Sequence, residues 1–423
     1  MSKASKSELS QKTKTSESYS SNLSGRHRFG RISLVVFQTS TLIGIVALTA
    51  LVINIIDSSF GYAAIQYSVD PETLAVDGIP LDELPKEELQ RIFQENVSKG
   101  LYRRYESEIP FEERSKEDVY NLVQERVVAP EIIQTWGLID SLTKKDEIIA
   151  EAQEKYPDSE FQFVSWLTTD FIRNPQSSVP EKAGVRTAIL GSLFVIAVTI
   201  FVAFPLGVFA AIYLEEYASD NRLNRVIRTN INNLAGVPSI IYGILGLAIF
   251  VRAMEALTSG TLFGVIEDPT TANGRTIISA GLTLALLILP LIIINGQEAI
   301  RAVPNSLRQA SFGLGATKWQ TVWHHVLPNA LPGILTGAIL AISRAFGETA
   351  PLVVVGASTF ITVDPTGLFS KFTTLPIQIY QWTARPQDEF RNIAAAAIIV
   401  LLILLLALNT TAVLVRNRYS RRY

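Results

Sequence analysis

Residues 331–358 read LPGILTGAILAISRAFGETAPLVVVGAS, and their only charged side chains are Arg344 and Glu348. The stretch is long enough to cross a bilayer as one helix, which takes about 20 residues. A charge near the bilayer centre costs roughly 2.5–3.5 kcal/mol on insertion scales, so such residues usually face a bundle interior or a polar pathway. A spacing of four would put both side chains on one helix face. The stretch therefore predicts a membrane protein that handles a charged solute.

The composition supports a chain that is largely embedded in a membrane. Hydrophobic residues make up 48% of the 423 positions and charged residues only 18%. There is no cysteine, which excludes disulfides, and the adjacent histidine pair has no further ligand at metal-binding spacing, so no metal site is expected. We expect an all-α polytopic membrane protein whose six transmembrane helices cover 33–56, 187–214, 234–251, 277–295, 331–358 and 393–415.

Both ends of the chain are rich in lysine and arginine, and the positive-inside rule places such segments in the cytoplasm. Residues 1–32 are also rich in serine and predict a disordered cytoplasmic tail, followed by 33–56 as a retained first transmembrane helix. Residues 417–423 predict a second cytoplasmic tail. With six spans, the connection 57–185 then lies outside the cytoplasm, and the loop 297–330 lies inside.

The connection 57–185 predicts an extracytoplasmic insert that is mainly helical. It contains 26 acidic and 13 basic residues, an excess that would repel a free anion. Ser115 and Asp118 form a capping-box pattern ahead of an amphipathic run, and helices are expected over 85–105 and 144–155. Two interpretations remain open, a solvated helical cap and a specific docking face for a partner.

The loop 297–330 predicts a compact pair of short cytoplasmic helices. Amphipathic patterns cover 306–312 and 318–326, with glycines between them and Pro328 expected to end the second helix. Trp319, Val322, Trp323 and Val326 are predicted to share one stripe. Such a pair could fit a groove on a soluble partner or lie on the membrane surface.

The spacing within this loop resembles a known motif. Gln309-Ala310-Ser311, then Gly315, then Leu327-Pro328 is similar to the EAA loop of binding-protein-dependent ABC transporter permeases, with Gln in place of Glu, Ser in place of the second Ala, and His325 where Ile is usual. The resemblance implies that the loop docks on a separate ATPase subunit. The residues that it assigns to this coupling role are Gln309, Ala310, Ser311, Gly315, Ala316, Leu327 and Pro328.

The chain shows no nucleotide-binding motif of its own. The segment GLGATK at 313–318 lacks the G-x-x-x-x-G-K-[ST] pattern of a phosphate-binding loop. We therefore expect no enzyme activity and no cofactor in this chain, with ATP and Mg held by the partner ATPase.

Three further segments narrow the resemblance. RAFGETAP at 344–351, GVPSIIYG at 236–243 and LPGILTG at 331–337 resemble the PstA family, one of the two permease subunits of phosphate-specific ABC importers. The similarity covers about 183–416. It implies a type I ABC importer permease fold over 186–416, with five transmembrane helices, in the bacterial inner membrane.

The same resemblance implies a set of partners. They are inorganic phosphate, a second permease subunit (PstC-like), two copies of an ATPase subunit (PstB-like) and an extracytoplasmic phosphate-binding protein (PstS-like). Membrane lipid surrounds the complex, and no nucleic acid is involved. Rival functions are a permease for sulfate, molybdate or phosphonate, or a membrane-anchored sensor or scaffold.

The family pattern places the expected transport residues at Arg344 and Glu348. An arginine offers a planar fork of donors that suits two phosphate oxygens. Glu348 either pairs with Arg344 and weakens its hold on phosphate, or accepts a hydrogen bond from the phosphate proton, which sulfate lacks. A purely structural salt bridge is the alternative for the pair. Thr349, Ser239 and Tyr242 are expected to line the same path.

Overall fold

The structure is a computed structural model that describes residues 23–76, 79–157, 159–264, 273–358 and 360–420. In the amino-terminal part, the elements are α1 Leu23–Ser59, β1 Phe60–Gln66, α2 Lys86–Asn96, α3 Lys99–Glu108, α4 Lys116–Val123, β2 Glu131–Thr135, α5 Leu138–Thr143, α6 Lys145–Lys155, β3 Glu160–Ser165 and α7 Thr169–Arg173. In the remainder, they are α8 Arg186–Ile212, α9 Arg222–Ala235, α10 Ser239–Gly246, α11 Glu255–Thr258, α12 Ile277–Arg301, α13 Asn305–Gly313, α14 Lys318–Thr321, α15 Leu327–Gly347, α16 Ala350–Val355, α17 Leu375–Thr383 and α18 Asp388–Ser420.

Long apolar helices confirm the polytopic all-α membrane architecture. Among the described residues, five helices are long and apolar enough to cross a membrane: Gly25–Ser59, Arg186–Tyr217, Ile277–Arg301, Lys318–Gly347 and Asp388–Arg418. A sixth span exists if the bent pair Arg222–Ala235 and Ser239–Ala253 counts as one.

The third predicted span, 234–251, is wrong as a straight helix. α9 and α10 meet at 106°, and the bend lies where Gly236, Val237 and Pro238 interrupt the helical pattern. Pro238 has no N–H to donate and adopts an extended conformation (φ −55°, ψ 136°) as the residue before α10. Because the residue before a proline also avoids helical geometry, the chain turns here instead of continuing.

The described chain falls into two compact units that divide between residues 54 and 55. In the first unit, α1 is almost entirely exposed and has no charged side chain between Ile32 and Asn54, as expected for a lipid-facing helix. The disordered tail predicted over 1–32 is wrong for 23–32, because α1 already begins at Leu23. Residues 1–22 lie outside the described residues.

The carboxyl-terminal helix also extends beyond its predicted end. α18 continues to Ser420, so residues 417–420 of the predicted cytoplasmic tail are helical. The apolar run of the sequence therefore predicts the part of α18 that can enter lipid. It does not predict where the helix itself ends. Residues 421–423 lie outside the described residues.

The insert contains a three-stranded antiparallel sheet, so the prediction that it is mainly helical missed its β component. The strand order is β2–β1–β3, with Ala63 opposite Thr135 on one side and Gln162 on the other. β1 follows α1 directly and is buried at Gly61 and across Ala63 to Ile65. A short central strand buried on both faces lacks the alternation that identifies a strand in a sequence.

The helical parts of the insert largely follow their sequence signals. The Ser115 capping box is confirmed, with its Oγ accepting from the Asp118 N–H at 3.1 Å, and the helix predicted over 144–155 is α6. The helix predicted over 85–105 is two helices, because the Ser98 hydroxyl accepts from Leu101 N–H at 3.3 Å and begins α3.

The sheet is packed onto the membrane core. Ala63, Ile132 and Trp166 share an apolar cluster with Leu375, Trp382 and other residues of α17 and α18. The Asn392 amide also donates to the Thr135 hydroxyl at 3.0 Å. This part of the insert is therefore not the freely solvated cap of one interpretation. Its role as a docking face for a partner stays a prediction.

The main core lies among α8, α12, α15 and α16. Small residues let these helices approach closely. A Cβ placed on Gly333 would lie 2.8 Å from the Ala299 Cβ, and Gly337 sits against Asn295. Small-residue contacts of this kind are a common way for membrane helices to pack without a hydrophobic driving force.

Candidate functional site

The charged stretch of 331–358 is a broken helix. α15 ends at Gly347, Glu348 is extended (φ −73°, ψ 125°), and α16 begins at Ala350. The prediction of one continuous helix is therefore wrong. Gly347 weakens the helix, and Pro351 cannot donate a backbone hydrogen bond to the Gly347 carbonyl, so the helical ladder stops between them.

Arg344 and Glu348 contact each other across the end of α15. The Arg344 Nε lies 3.3 Å from the Glu348 Oε1. Glu348 reaches back from non-helical backbone, so the pair does not share one helix face as the spacing predicted. The Arg344 side chain is 45% exposed and that of Glu348 17%. Among the described residues this is the one ionic contact of Arg344, which leaves most of its guanidinium free to bind another group.

The break is held in place by a close approach of backbone. A Cβ on Gly243 of α10 would lie 2.6 Å from the Pro351 Cα and 3.0 Å from its carbonyl oxygen. Only glycine leaves room for this contact. The segments 236–243 and 347–351, which carry the family resemblance, are therefore brought together by packing.

Tyr242 and Ser239 lie on the same short helix. Tyr242 is buried, and its hydroxyl donates to the Leu234 carbonyl at 2.7 Å. That bond joins α10 to the end of α9 and stabilises the bend between them. Ser239, the first residue of α10, is half-buried.

Thr349 lies at the break itself. It precedes α16, and its hydroxyl makes no capping hydrogen bond. By contrast, the hydroxyl of Ser343 bonds the Ile339 carbonyl and the Asn409 side chain. Of the two hydroxyls nearest to Arg344 in sequence, Thr349 is thus the one available to a ligand. Ligand contact at Arg344, Glu348, Thr349, Ser239 and Tyr242 stays a prediction.

The arrangement of Arg344 and Glu348 is that of an anion-binding site in which the Glu348 carboxylate competes with the ligand for the guanidinium. A half-exposed guanidinium presents a fork of donors, and one carboxylate occupies part of that fork at a single contact. An anion can displace this contact without leaving Arg344 unpaired. The arrangement offers reversible binding, and it contains no nucleophile paired with a base.

The pair of short helices predicted in the loop 297–330 is present as α13 and α14, and its cytoplasmic location stays a prediction. Between them Gly315 adopts φ +81°, a conformation that favours glycine. The Ser311 and Thr321 hydroxyls are hydrogen-bonded at 2.9 Å and buried, so Ser311 holds the two helices together and does not face outward. Gln309, Ala310 and Gly315 are exposed, whereas Ala316, Leu327 and Pro328 are half-buried.

The predicted stripe of this loop divides into two faces. Val322 and Val326 are buried against the ends of α8 and α12. Trp319 and Trp323 are exposed and stacked with ring centroids 5.3 Å apart, and Leu314 at the turn is 90% exposed. The loop therefore presents an apolar outer surface at Leu314, Trp319 and Trp323, a feature of protein and membrane contact sites alike.

Pro328 does not end the second helix, contrary to the sequence prediction. Residues Val322–Val326 form a π-helical turn in which the Leu327 N–H bonds the Val322 carbonyl. The wider turn accommodates the missing N–H of Pro328, and the helix continues as Lys318–Gly347. The second half of the loop and Arg344 are consequently on one continuous helix.

An ionic cluster beside the carboxyl ends of α8 and α12 was not predicted from the sequence. Glu215 and Glu216, in the turn after α8, bond Arg301 and Arg308 respectively. The signal was two adjacent acids directly after an apolar span, in YLEEY at 213–217. Spacing alone does not show which of the nearby arginines they meet.

Comparison with known proteins relates this architecture to transport. Residues 203–423 match the family described as binding-protein-dependent transport system inner membrane component. The chain is 33% identical over 228 residues to a probable ABC transporter permease protein, YqgI, of Bacillus subtilis, covering 51% of this chain and 72% of that protein.

Two further relatives have phosphate in their names. Identity is 37% over 212 residues to phosphate transport system permease protein PstA 1 of Mycobacterium tuberculosis, covering 49% of this chain and 63% of that protein. It is 30% over 229 residues to PstA of Haemophilus influenzae, covering 54% and 74%. Among solved structures, the inward-facing MetNI methionine ABC transporter is 20% identical with a TM-score of 0.41, covering 56% of this chain and 97% of that one; a score this low supports no conclusion about this chain.

Proposed function

The chain belongs to the family of binding-protein-dependent transport system inner membrane components, and from that premise we propose that it is a permease subunit of an ATP-driven importer of inorganic phosphate. It is a multi-pass membrane protein and a non-catalytic component. ATP hydrolysis belongs to a separate subunit, and neither ATP nor Mg is assigned to this chain.

The substrate assignment depends on one observation. The half-exposed Arg344 lies in the last turn of the helix Lys318–Gly347, next to the helix break that follows it. A permanently charged donor fork, held next to an exchangeable carboxylate, suits a tetrahedral oxyanion. The phosphate permeases among the relatives support the choice of phosphate within that class. Sulfate, molybdate and phosphonate are the alternative substrates.

The partners follow from the same premise. An ABC importer of this family needs an ATPase, an extracytoplasmic binding protein and a second permease. In the proposed complex these are two PstB-like ATPase copies, one PstS-like phosphate-binding protein and one PstC-like permease, in the bacterial inner membrane. The exposed apolar surface at Leu314, Trp319 and Trp323 is the surface proposed to contact the ATPase, and both termini of the chain are placed in the cytoplasm.

Uptake of labelled phosphate tests this function directly. A pst-deficient cell would receive the complete operon with this chain either intact or as Arg344→Gln, with membrane levels checked by blot. We expect uptake with the intact chain and a loss of about 10- to 100-fold in the variant, the usual range for losing hydrogen bonds to a charged ligand.

A matched control uses an arginine outside the site. Arg225 forms an exposed pair with Asp220 at 3.3 Å, so Arg225→Gln should leave uptake unchanged. Normal uptake in Arg344→Gln at equal abundance would remove Arg344 from the path. Absence of phosphate uptake with the intact chain, together with uptake of sulfate or molybdate, would favour the alternative substrates.

A further inference from the structure

Two adjacent carboxylates after α8 reach to different parts of the cytoplasmic face. Glu215 accepts from the Arg301 Nε at 3.0 Å and lies 3.4 Å from Arg228. Glu216 accepts from the Arg308 guanidinium at 2.7 and 3.0 Å. Arg301 ends α12, Arg228 lies on α9, and Arg308 lies on α13. The end of α8 is therefore ionically joined to three other elements.

The pair at Arg308 is the most enclosed of these contacts. Its side chains are 14% and 9% exposed, whereas the side chain of Arg301 is 55% exposed. Arg308 also donates to the Val303 carbonyl at 2.6 Å and to the Ile300 carbonyl at 2.9 Å. A weaker contact at 3.4 Å reaches Asn305.

One guanidinium thus binds three pieces of structure at once. It belongs to α13, it caps carbonyl oxygens at the carboxyl end of α12, where a positive charge is electrostatically favoured, and it pairs with the end of α8 through Glu216. Desolvating an ion pair is costly, so a buried pair is poor evidence for stability alone. A fixed relative position of the three helices is what these directional bonds supply.

The second half of the loop meets the same helix ends by apolar contact. Val322 and Val326 pack with Ala211, Ile212 and Ile300. Apolar contacts allow sliding because they have no preferred direction, whereas the Arg308 bonds do not. The loop continues without interruption into the helix that carries Arg344.

From this geometry we infer that Arg308 is a positioning residue that fixes the loop 297–330, the coupling loop of the proposed function, to α8 and α12. When the ATPase moves the loop, the bonds of Arg308 make the two transport helices move with it and prevent the loop from bending alone. This inference rests on the coupling role in the proposed function. Uncoupling, and not loss of assembly, is the expected consequence of loosening the contact.

The test compares two activities in one preparation. The complete importer, with all partner subunits, would be reconstituted in liposomes with this chain intact or as Arg308→Lys, which keeps the charge but loses the fork. We expect phosphate taken up per ATP hydrolysed to fall by about three- to thirty-fold. A merely structural role would lower uptake and hydrolysis together and leave their ratio unchanged, and that result would overturn the inference.

Two further variants sharpen this result. Arg225→Gln, in an exposed pair on the same face, should leave the ratio unchanged. The double exchange Arg308→Glu with Glu216→Arg restores opposite charges, but it turns a carboxylate towards the carbonyls of Ile300 and Val303. We expect no recovery of the ratio. Recovery would show that opposite charges at positions 308 and 216 are sufficient for coupling. It would overturn the inference that Arg308 must bond both Glu216 and the carbonyls of α12.

A second readout does not depend on the substrate. The chain has no cysteine, so spin labels can be attached uniquely at Leu314→Cys and Ala302→Cys, both exposed positions, in the full chain in lipid nanodiscs. Arg308→Lys should broaden the distance distribution between the labels. An unchanged distribution would contradict the inference. If the intact complex transports no phosphate, the proposed function fails. The distance measurement still tests whether Arg308 fixes the loop to α8 and α12.

Discussion

The protein contains two arginine–glutamate pairs whose surroundings are opposite. Arg344 meets Glu348 at one contact of 3.3 Å, and its side chain is 45% exposed. Arg308 meets Glu216 at 2.7 Å, is 14% exposed, and also bonds two backbone carbonyls. The guanidinium donors of Arg308 are therefore mostly hydrogen-bonded, whereas those of Arg344 are largely free, although both pairs join an arginine to a glutamate.

The difference follows from the backbone at each pair. Glu348 lies at a helix break, where one carboxylate is the partner that reaches Arg344. Arg308 lies beside the carboxyl end of α12, where carbonyl oxygens lack some of their intrahelical donors. A guanidinium satisfies those carbonyls and becomes fixed. The first pair can exchange its partner for a ligand, and the second can transmit force.

The largest expected effect is a difference in the free energy of unfolding that is lost when the arginine of each pair is replaced. Arg308→Met leaves Glu216 buried without a partner, which typically costs about 3–5 kcal/mol. Arg344→Met should cost less than Arg308→Met, because the Arg344 pair makes a single contact and leaves the Arg344 side chain 45% exposed. Unfolding in a graded series of SDS-containing micelles would measure both. Equal losses would mean that the two pairs are not different in kind.

The next effect concerns the backbone contact that holds the break. Gly243→Ala would place a Cβ 2.6 Å from the Pro351 Cα, and overpacking of this kind costs about 1–3 kcal/mol. We expect reduced phosphate uptake at normal membrane abundance, because α16 must move away from α10. Gly44→Ala in α1, where a Cβ meets nothing within 4 Å, is the control. Full uptake in Gly243→Ala would show that the break tolerates displacement.

A third effect, of roughly tenfold, tests what the exchangeable carboxylate does. If Glu348 reads the proton of phosphate, Glu348→Gln should raise sulfate uptake relative to phosphate uptake by about tenfold, equivalent to roughly 1.4 kcal/mol. If Glu348 only weakens the hold of Arg344, the ratio stays constant while the apparent affinity for phosphate rises. Competition between the two labelled anions in intact cells distinguishes these results. Equal loss of both anions would exclude the proton-reading hypothesis.

The smallest effect lies far from both pairs, at the capping box of α4. Hydrogen bonds from the Ser115 side chain and backbone hold the pKa of Asp118 below its ordinary value of 3.8. A lowered carboxyl pKa means that its stabilisation is present above 3.8 and is lost as the pH falls through the lower folded value. Ser115→Ala should raise amide exchange in α4 about fivefold at neutral pH, with uptake unchanged. A change in uptake would link the insert to transport.

Much of the site was predictable because its signals are local. Arg344 and Glu348 stand out as charges in an apolar stretch, and Gly315 marks a turn between two amphipathic segments. Pairing of Arg344 with Glu348 was one of the expected roles, but the helix break between them was not predicted, because a four-residue spacing fits a continuous helix equally well. The burial of Ser311 and the hydrogen bond of Tyr242 to Leu234 depend on neighbours that spacing does not specify.

The insert shows the same limit from the other direction. The capping box at Ser115 was predicted because four consecutive residues determine it. The sheet was missed because β1 pairs with strands about 70 and 100 positions away, for example Ala63 with Thr135 and Gln162. Pairing over such distances depends on the packed neighbours, which no local window contains.

The sequence by itself determined the membrane class, most of the spans, the pair of short helices in the loop 297–330 and the family resemblance, because each rests on hydropathy or on short fixed spacing. Tertiary structure decided where helices break, that Pro328 lies within a continuous helix, and which arginine each glutamate meets. Those outcomes depend on which backbone carbonyls and carboxylates converge in space. Packing decides which of these groups meet. Arg344 is therefore half-exposed and Arg308 is enclosed, although both side chains are arginines.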